Sequence, residues 1–389
     1  MVFDLTRLTL SALRSHFERR QGAVLELTRK LVECESPSGD AEGSRRVVEL
    51  LEAEARRIDA VTRVERIAIP DYGEHLRVRV FDDGNETRTT LLLGHTDTVH
   101  PRGSIKERPW REDDGRIYAP GIFDMKANCA LAFESLRALD ALSLKPSRPV
   151  VLLFTCDEEA GSATGRKLVE KEATRAASVL VLEPSAPSGR VKTARKGTAL
   201  YTMEIYGRAA HAGLEPERGA SAVLELARQM IRLSELQDLS CGTTINVGCI
   251  EGGTASNVVA AYARAEIDVR FSTTPEAERV DNELRGATPF DDRVRVVVAG
   301  GVNRPPLEHT DGVVKLYEKA RSIAALLDVD LGETSVGGAS DGNFAAAMCA
   351  SVLDGLGIEG GGAHSEHEHI LTNRIPERGA LVAGLLIVE

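Results

Sequence analysis

A Gly94-His95-Thr96-Asp97 segment closes an apolar run; an isolated Asp124 follows, then the pair Glu158 and Glu159, then Glu183 and, far downstream, His364. Two imidazoles and three carboxylates form an oxygen-rich donor set for two closely spaced divalent cations such as Zn²⁺. One carboxylate can bridge the pair while a spare acid works as a base. Adjacent Glu158 and Glu159 suit that division of labour: one ligates, and its neighbour takes a proton from water. A capping pair at the start of the next helix is the blander reading and is compatible with it. Asp97 reads as the carboxylate that fixes the tautomer of His95 rather than as a ligand. His364, His367 and His369 all follow the glycines at 360–362, and spacing alone lets any of them reach a metal.

These residues need elements to carry them to one place. Leu91 to Leu93, Val150 to Thr155 and Val179 to Leu182 are short apolar runs, as expected of central strands covered on both faces. His95, Glu158/Glu159 and Glu183 stand at or just past their ends, and an open α/β sheet binds ligands at the carboxyl ends of its strands. Val47, Leu51 and Ile58 predict a helix starting near Ser38 or Asp40, and Cys129, Ala132, Phe133, Leu136 and Leu139 mark another. The pattern is α/β with a largely parallel sheet. From about Gly197 the rhythm becomes strand (Ala199 to Tyr206), helix (Gly219 to Leu233), two strands (Thr243 to Ile250, Ala261 to Phe271), a helix after Pro275 and a strand (Val294 to Ala299). That order matches a ferredoxin-like α+β unit. A catalytic domain in two segments, 1–196 and 307–389, interrupted by a lid or dimerisation domain at 197–306, is the resulting expectation.

Composition bounds the function classes. The 389 residues exceed a typical single domain. A net charge of −11 with no basic stripe argues against nucleic acid or an anionic membrane as partner. The N-terminus does not read as a signal peptide, and no run of 18 apolar residues exists to span a bilayer. Six scattered cysteines without a CxxC read as buried thiols in a reducing compartment, which implies a cytoplasmic protein.

The segments GHTDTV, GIFDMKAN, TCDEEAGS, LEPS, HAG, GGTASNVV, NRPP, GGASDGN and GGGAHSEHEHI occur in the order typical of the co-catalytic zinc aminoacylase and carboxypeptidase family. From about residue 24 onward the chain resembles that family, its glutamate carboxypeptidase members most of all. The resemblance implies a zinc-peptidase-like catalytic domain with a mixed, mostly parallel sheet, holding two Zn²⁺ per chain, with Co²⁺ or Mn²⁺ able to substitute. It implies that His95 and Glu183 serve different metals, that Asp124 bridges, that Glu159 is a terminal ligand, that His364 completes the second metal, and that Glu158 is the general base. His364 is chosen as the histidine directly after the Gly-rich turn; His367 and His369 then read as surface or supporting residues, and Glu366 and Glu368 as solvated. His211 matches a histidine that reaches the oxyanion from a partner subunit, which implies a homodimer built through the inserted domain. Asn257 matches a substrate contact and Arg304 the clamp for a free α-carboxylate.

Two departures stand out. Ala127 and Asn128 replace a pair of glycines, and the basic segment of Lys192, Arg195 and Lys196 reads as a solvated hinge or as a binder of an acidic side chain. The implied reaction is hydrolysis of an amide bond that releases a C-terminal amino acid. Deacylation of an N-acyl amino acid such as acetylornithine and cleavage of a dipeptide are alternatives that share the ligand set. A non-catalytic dimeric binding module would need a missing ligand or base, and every position is filled. A nucleotide-binding Rossmann enzyme is set aside because no GxGxxG follows an early strand.

Overall fold

The protein is described by a computed structural model covering residues 6–84, 88–349 and 351–388. Two compact units are present: one comprises residues up to Thr193, His309–Ser335 and those from Ser340 onward, the other Ala194–Glu308 with Val336–Ala339.

The first unit is built on a six-stranded sheet in the order Val61–Ile69, Gly73–Val80, Val150–Thr155, Thr89–His95, Ala176–Val181, Val352–Leu353. The last four run parallel. The first two form an antiparallel hairpin that also joins Val150–Thr155 antiparallel. Every residue of Thr89–His95 and Val150–Thr155 is buried, which is why these strands read as unbroken apolar runs. The helix Arg7–Glu33 packs on Ala127–Ala141 and on Ile375–Val388.

Several elements differ from expectation. The edge hairpin was not legible: its strands VTRVERIAI and GEHLRVRV are studded with charge, and the outer one has no fully buried residue. The helix capped by Asp40 ends at Ala55, so Ile58 is buried beyond it rather than on its stripe. The basic segment is solvated only in part: Val191–Arg195 is a strand running across the boundary between the two units, Lys192 and Lys196 are half-buried, and Arg195 is buried with Nη1 3.2 Å from the Gly338 carbonyl. Nor are all six thiols buried, because Cys241 and Cys249 are exposed. No helix among the described residues is long and apolar enough to cross a membrane.

In the second unit the four strands lie in the order Thr244–Gly252, Tyr262–Phe271, Gly197–Tyr206, Arg295–Arg304, all antiparallel. With the helices Ala222–Glu235 and Thr274–Arg285 this is the βαββαβ unit read from the sequence. Ala263, Ala265, Ile267, Val269 and Phe271 alternate into its core, the period of a sheet covered on one face.

Candidate metal centre

His95 is the last residue of its strand and lies in the interior, 1 % exposed. Gly94 makes room there, because a Cβ would lie 2.5 Å from Met125 Cε. His95 Nδ1 lies 3.0 Å from the Asp97 carbonyl and 3.4 Å from Asp97 Oδ1. With Nδ1–H donating there, the lone pair of Nε2 points into the site. Nε2 is 3.2 Å from Asp124 Oδ1 and 3.4 Å from Glu183 Oε1. On the other side of Asp124, Oδ2 is 3.5 Å from His364 Nε2, which is 3.2 Å from Glu159 Oε2.

Asp124 therefore faces two imidazoles, one with each oxygen. By these distances His95 lies beside Glu183 and His364 beside Glu159, with Asp124 between them, whereas the resemblance set His95 and Glu183 on different metals. Sequence order could not show this, since Glu183 follows a strand hydrogen-bonded beside that of His95, in register Leu93 to Val181.

Asp97 organises the strand ends. Its Oδ1 accepts the Glu158 N–H and its Oδ2 the Glu159 N–H, both at 3.1 Å, and Ser38 Oγ donates to Oδ2 at 2.6 Å. Burial acts against ionising Asp97, but the contact with His95 outweighs it and lowers its pKa. Burial likewise disfavours a charged His95, yet Asp124, Asp97 and Glu183 raise its pKa well above the imidazole range. Hydrogen bonds to Asp124 and Glu159 push His364 up to about 10. Burial raises the Glu159 carboxyl, and its Oε1 is buried with no hydrogen-bond partner among the described residues. Carboxylates crowded round two imidazoles, with one oxygen left over, fit a pair of cations that would take the place of the imidazole protons. Glu158 is buried, and one of its oxygens lies within 4.8 Å of ligand atoms of His95 and Glu183.

Comparison with known proteins fits this geometry. The sequence profile of Peptidase family M20/M25/M40 matches residues 91–387. The chain belongs to this family. It is therefore a hydrolytic enzyme of metallopeptidase type. It is 30 % identical to carboxypeptidase G2 of Pseudomonas sp. (strain RS-16) over 94 % of its own length and 89 % of that protein. It is 34 % identical to an acetylornithine deacetylase of Myxococcus xanthus over 55 % of its length and 60 % of that protein. An aminopeptidase structure from Bacillus cereus ATCC 10987 shares its fold with a TM-score of 0.80 at 23 % identity, covering 95 % of this chain and 98 % of the other.

The remaining candidates of this M20 peptidase lie in the second unit. His211 is exposed, its Nδ1 accepting the N–H groups of Gly213 and Leu214 at 3.1 and 3.2 Å, which leaves Nε2 as a donor. Asn257 is exposed, and its carbonyl accepts the Ala212 N–H beside His211 at 2.9 Å. Arg304 ends the strand Arg295–Arg304 and is buried. Asn128 explains one departure: its Oδ1 accepts the Ile358 N–H at 2.8 Å and its Nδ2 donates to the Phe123 carbonyl at 3.3 Å, a tie that two glycines could not make.

One residue was misread. Glu368 is not solvated but 2 % exposed, and it accepts the Asp124 N–H at 2.9 Å. The GGGAHSEHEHI segment is so polar that nothing in its pattern singles out this acid. His367 is exposed, and His369 packs its ring on Tyr118 at 5.1 Å.

Proposed function

We propose that this M20 enzyme is a two-zinc amidohydrolase of carboxypeptidase type. It splits the amide bond between an acyl or peptidyl group and an amino acid with a free α-carboxylate. The observation that carries the two-metal reading is the Asp124 carboxylate, whose oxygens stand 3.2 Å from His95 Nε2 and 3.5 Å from His364 Nε2. His95 and Glu183 would hold one cation, Glu159 and His364 the other, and Asp124 both. When bound, the cations supply Lewis acidity to the scissile carbonyl and to water.

The residues of the chain do the rest. Glu158 takes a proton from the attacking water and returns it to the leaving nitrogen. Its backbone N–H is held by Asp97, which fixes the main chain from which its carboxylate reaches the His95 side of the site. Arg304 pairs with the substrate α-carboxylate and Asn257 with its amide. His211, with Nε2 as donor, stabilises the oxyanion, acting in a homodimer built through the ferredoxin-like unit. Cytoplasmic residence, supported by six free thiols, belongs to the same proposal.

The similarity to acetylornithine deacetylase favours a second reading, N-acyl amino acid deacylation. A panel of aroyl-glutamates, N-acetyl amino acids and dipeptides, each with a free and an amidated carboxyl, separates the two. The carboxypeptidase reading expects amine release from aroyl- and peptidyl-amino acids and little from amidated versions. Turnover that requires a free α-amino group instead would overturn both.

A further inference from the structure

Four N–H donors converge on the buried Glu368 carboxylate. Gly121 N–H reaches Oε2 at 2.9 Å, and Phe123 and Asp124 N–H reach Oε1 at 2.8 and 2.9 Å. His100 Nε2 lies 2.5 Å from Oε2. Arg108 Nη2 stands 3.3 Å from His100 Nδ1, and since a guanidinium can only donate, Nδ1 is the acceptor and Nε2 carries the hydrogen given to Glu368. The other arm of Arg108, Nη1, donates to the Ser365 carbonyl at 3.3 Å, next to His364.

We propose that Glu368 is a positioning residue that holds the Asp124 turn and, through His100 and Arg108, couples it to the His364 turn. It thereby sets the gap between the bridging carboxylate and the second imidazole. The inference rests on the two-metal reading above and extends it to groups that touch neither metal nor substrate. His95 and Glu183 take their places from the central sheet and lie outside the network. Glu368 acts on Asp124, which both cations share, and through Arg108 also on the His364 turn, so it controls the cation held by Asp124, Glu159 and His364 more strongly than its neighbour.

Glu368→Gln is the sharp probe. It keeps size and shape, but its amide presents an NH₂ group where only N–H donors converge, so either orientation sets donor against donor. Supporting groups around ligands commonly change metal affinity by about 10- to 100-fold. Metal-free protein is titrated with Co²⁺, whose visible spectrum reports ligand geometry, and with Zn²⁺ by calorimetry; circular dichroism checks the fold. The expected result is two equivalents in wild type and, in Glu368→Gln, the second site weakened by about tenfold or more and the first, which shares Asp124, by clearly less. Arg108→Ala, which removes the partly exposed end of the network, weakens the same site by about threefold and decides the matter if Glu368→Gln does not fold. Wild-type affinity at the second site in Glu368→Gln, or equal weakening at both sites, overturns the inference alone. Fewer than two equivalents in wild type removes the two-metal reading and the inference with it.

Discussion

His95 and Glu183 stand at or just past the ends of adjacent parallel strands, whereas Glu159 and His364 are carried by turns. The strand-borne pair inherits its spacing from the hydrogen-bond ladder between Thr89–His95 and Ala176–Val181, which no single side chain controls. His364 has no such ladder, and Glu159 lies in the short 3₁₀ turn Glu158–Ala160 beyond the last paired residue of Val150–Thr155. Glu159 is held by the Asp97 carboxylate, and His364 sits at φ 61°, a left-handed backbone uncommon outside glycine that surrounding contacts must sustain. Half of the centre is thus set by the sheet, and half by buried hydrogen bonds that one substitution can cut.

The largest effect tests whether Glu158 belongs to the strand-borne ligands at all, since its carboxylate lies within reach of His95 and Glu183. As the base, Glu158→Ala keeps two metals by atomic absorption and loses about 10³-fold or more in kcat. Loss of one metal equivalent would make it a ligand. Next come the two histidines in metal-free protein. His95→Ala strands Asp97, Asp124 and Glu183 in the interior without their counter-charge and costs about 3 kcal/mol or more in urea unfolding. His364→Ala, at a residue whose side chain is 52 % exposed, costs less than about 1 kcal/mol. Equal costs would erase the distinction between the halves.

Asp97→Asn is expected to weaken both metals by about 10- to 100-fold in calorimetry, because Asp97 supports His95 as well as the turn of Glu158 and Glu159. A loss at one site alone would break that symmetry. The smallest effect is in pH. His364 is raised to about 10 in the metal-free protein, so its stabilising charge is fully present below about 6.5 and is lost as pH rises through about 10. The urea midpoint of metal-free enzyme should fall between pH 6.5 and pH 10, while metal affinity rises over the same range as protons stop competing. A flat or rising midpoint would contradict the charge assignment.

Much of this was legible in residue types. The apolar runs ending in His95, Thr155 and Val181 announce buried strands because both faces are covered, and the alternation in Tyr262–Phe271 announces a sheet with one covered face. The edge hairpin at Val61–Val80 was not legible, since exposure on a sheet edge tolerates the charges that disguise it. Glu368 was misread for the opposite reason: its burial depends on backbone N–H groups some 245 residues away in the chain.

By itself, the sequence determined the donor types, the strand ends that carry three of them, and the order of elements in both units. These follow from local hydrophobic period and side-chain chemistry. Only the tertiary structure decided that His95 pairs with Glu183 and His364 with Glu159 across the two oxygens of Asp124, and that Glu368 underpins the turn between them. Those are distances of about 3 Å between residues far apart in the chain, fixed by strand register and by buried groups that must find their hydrogen bonds.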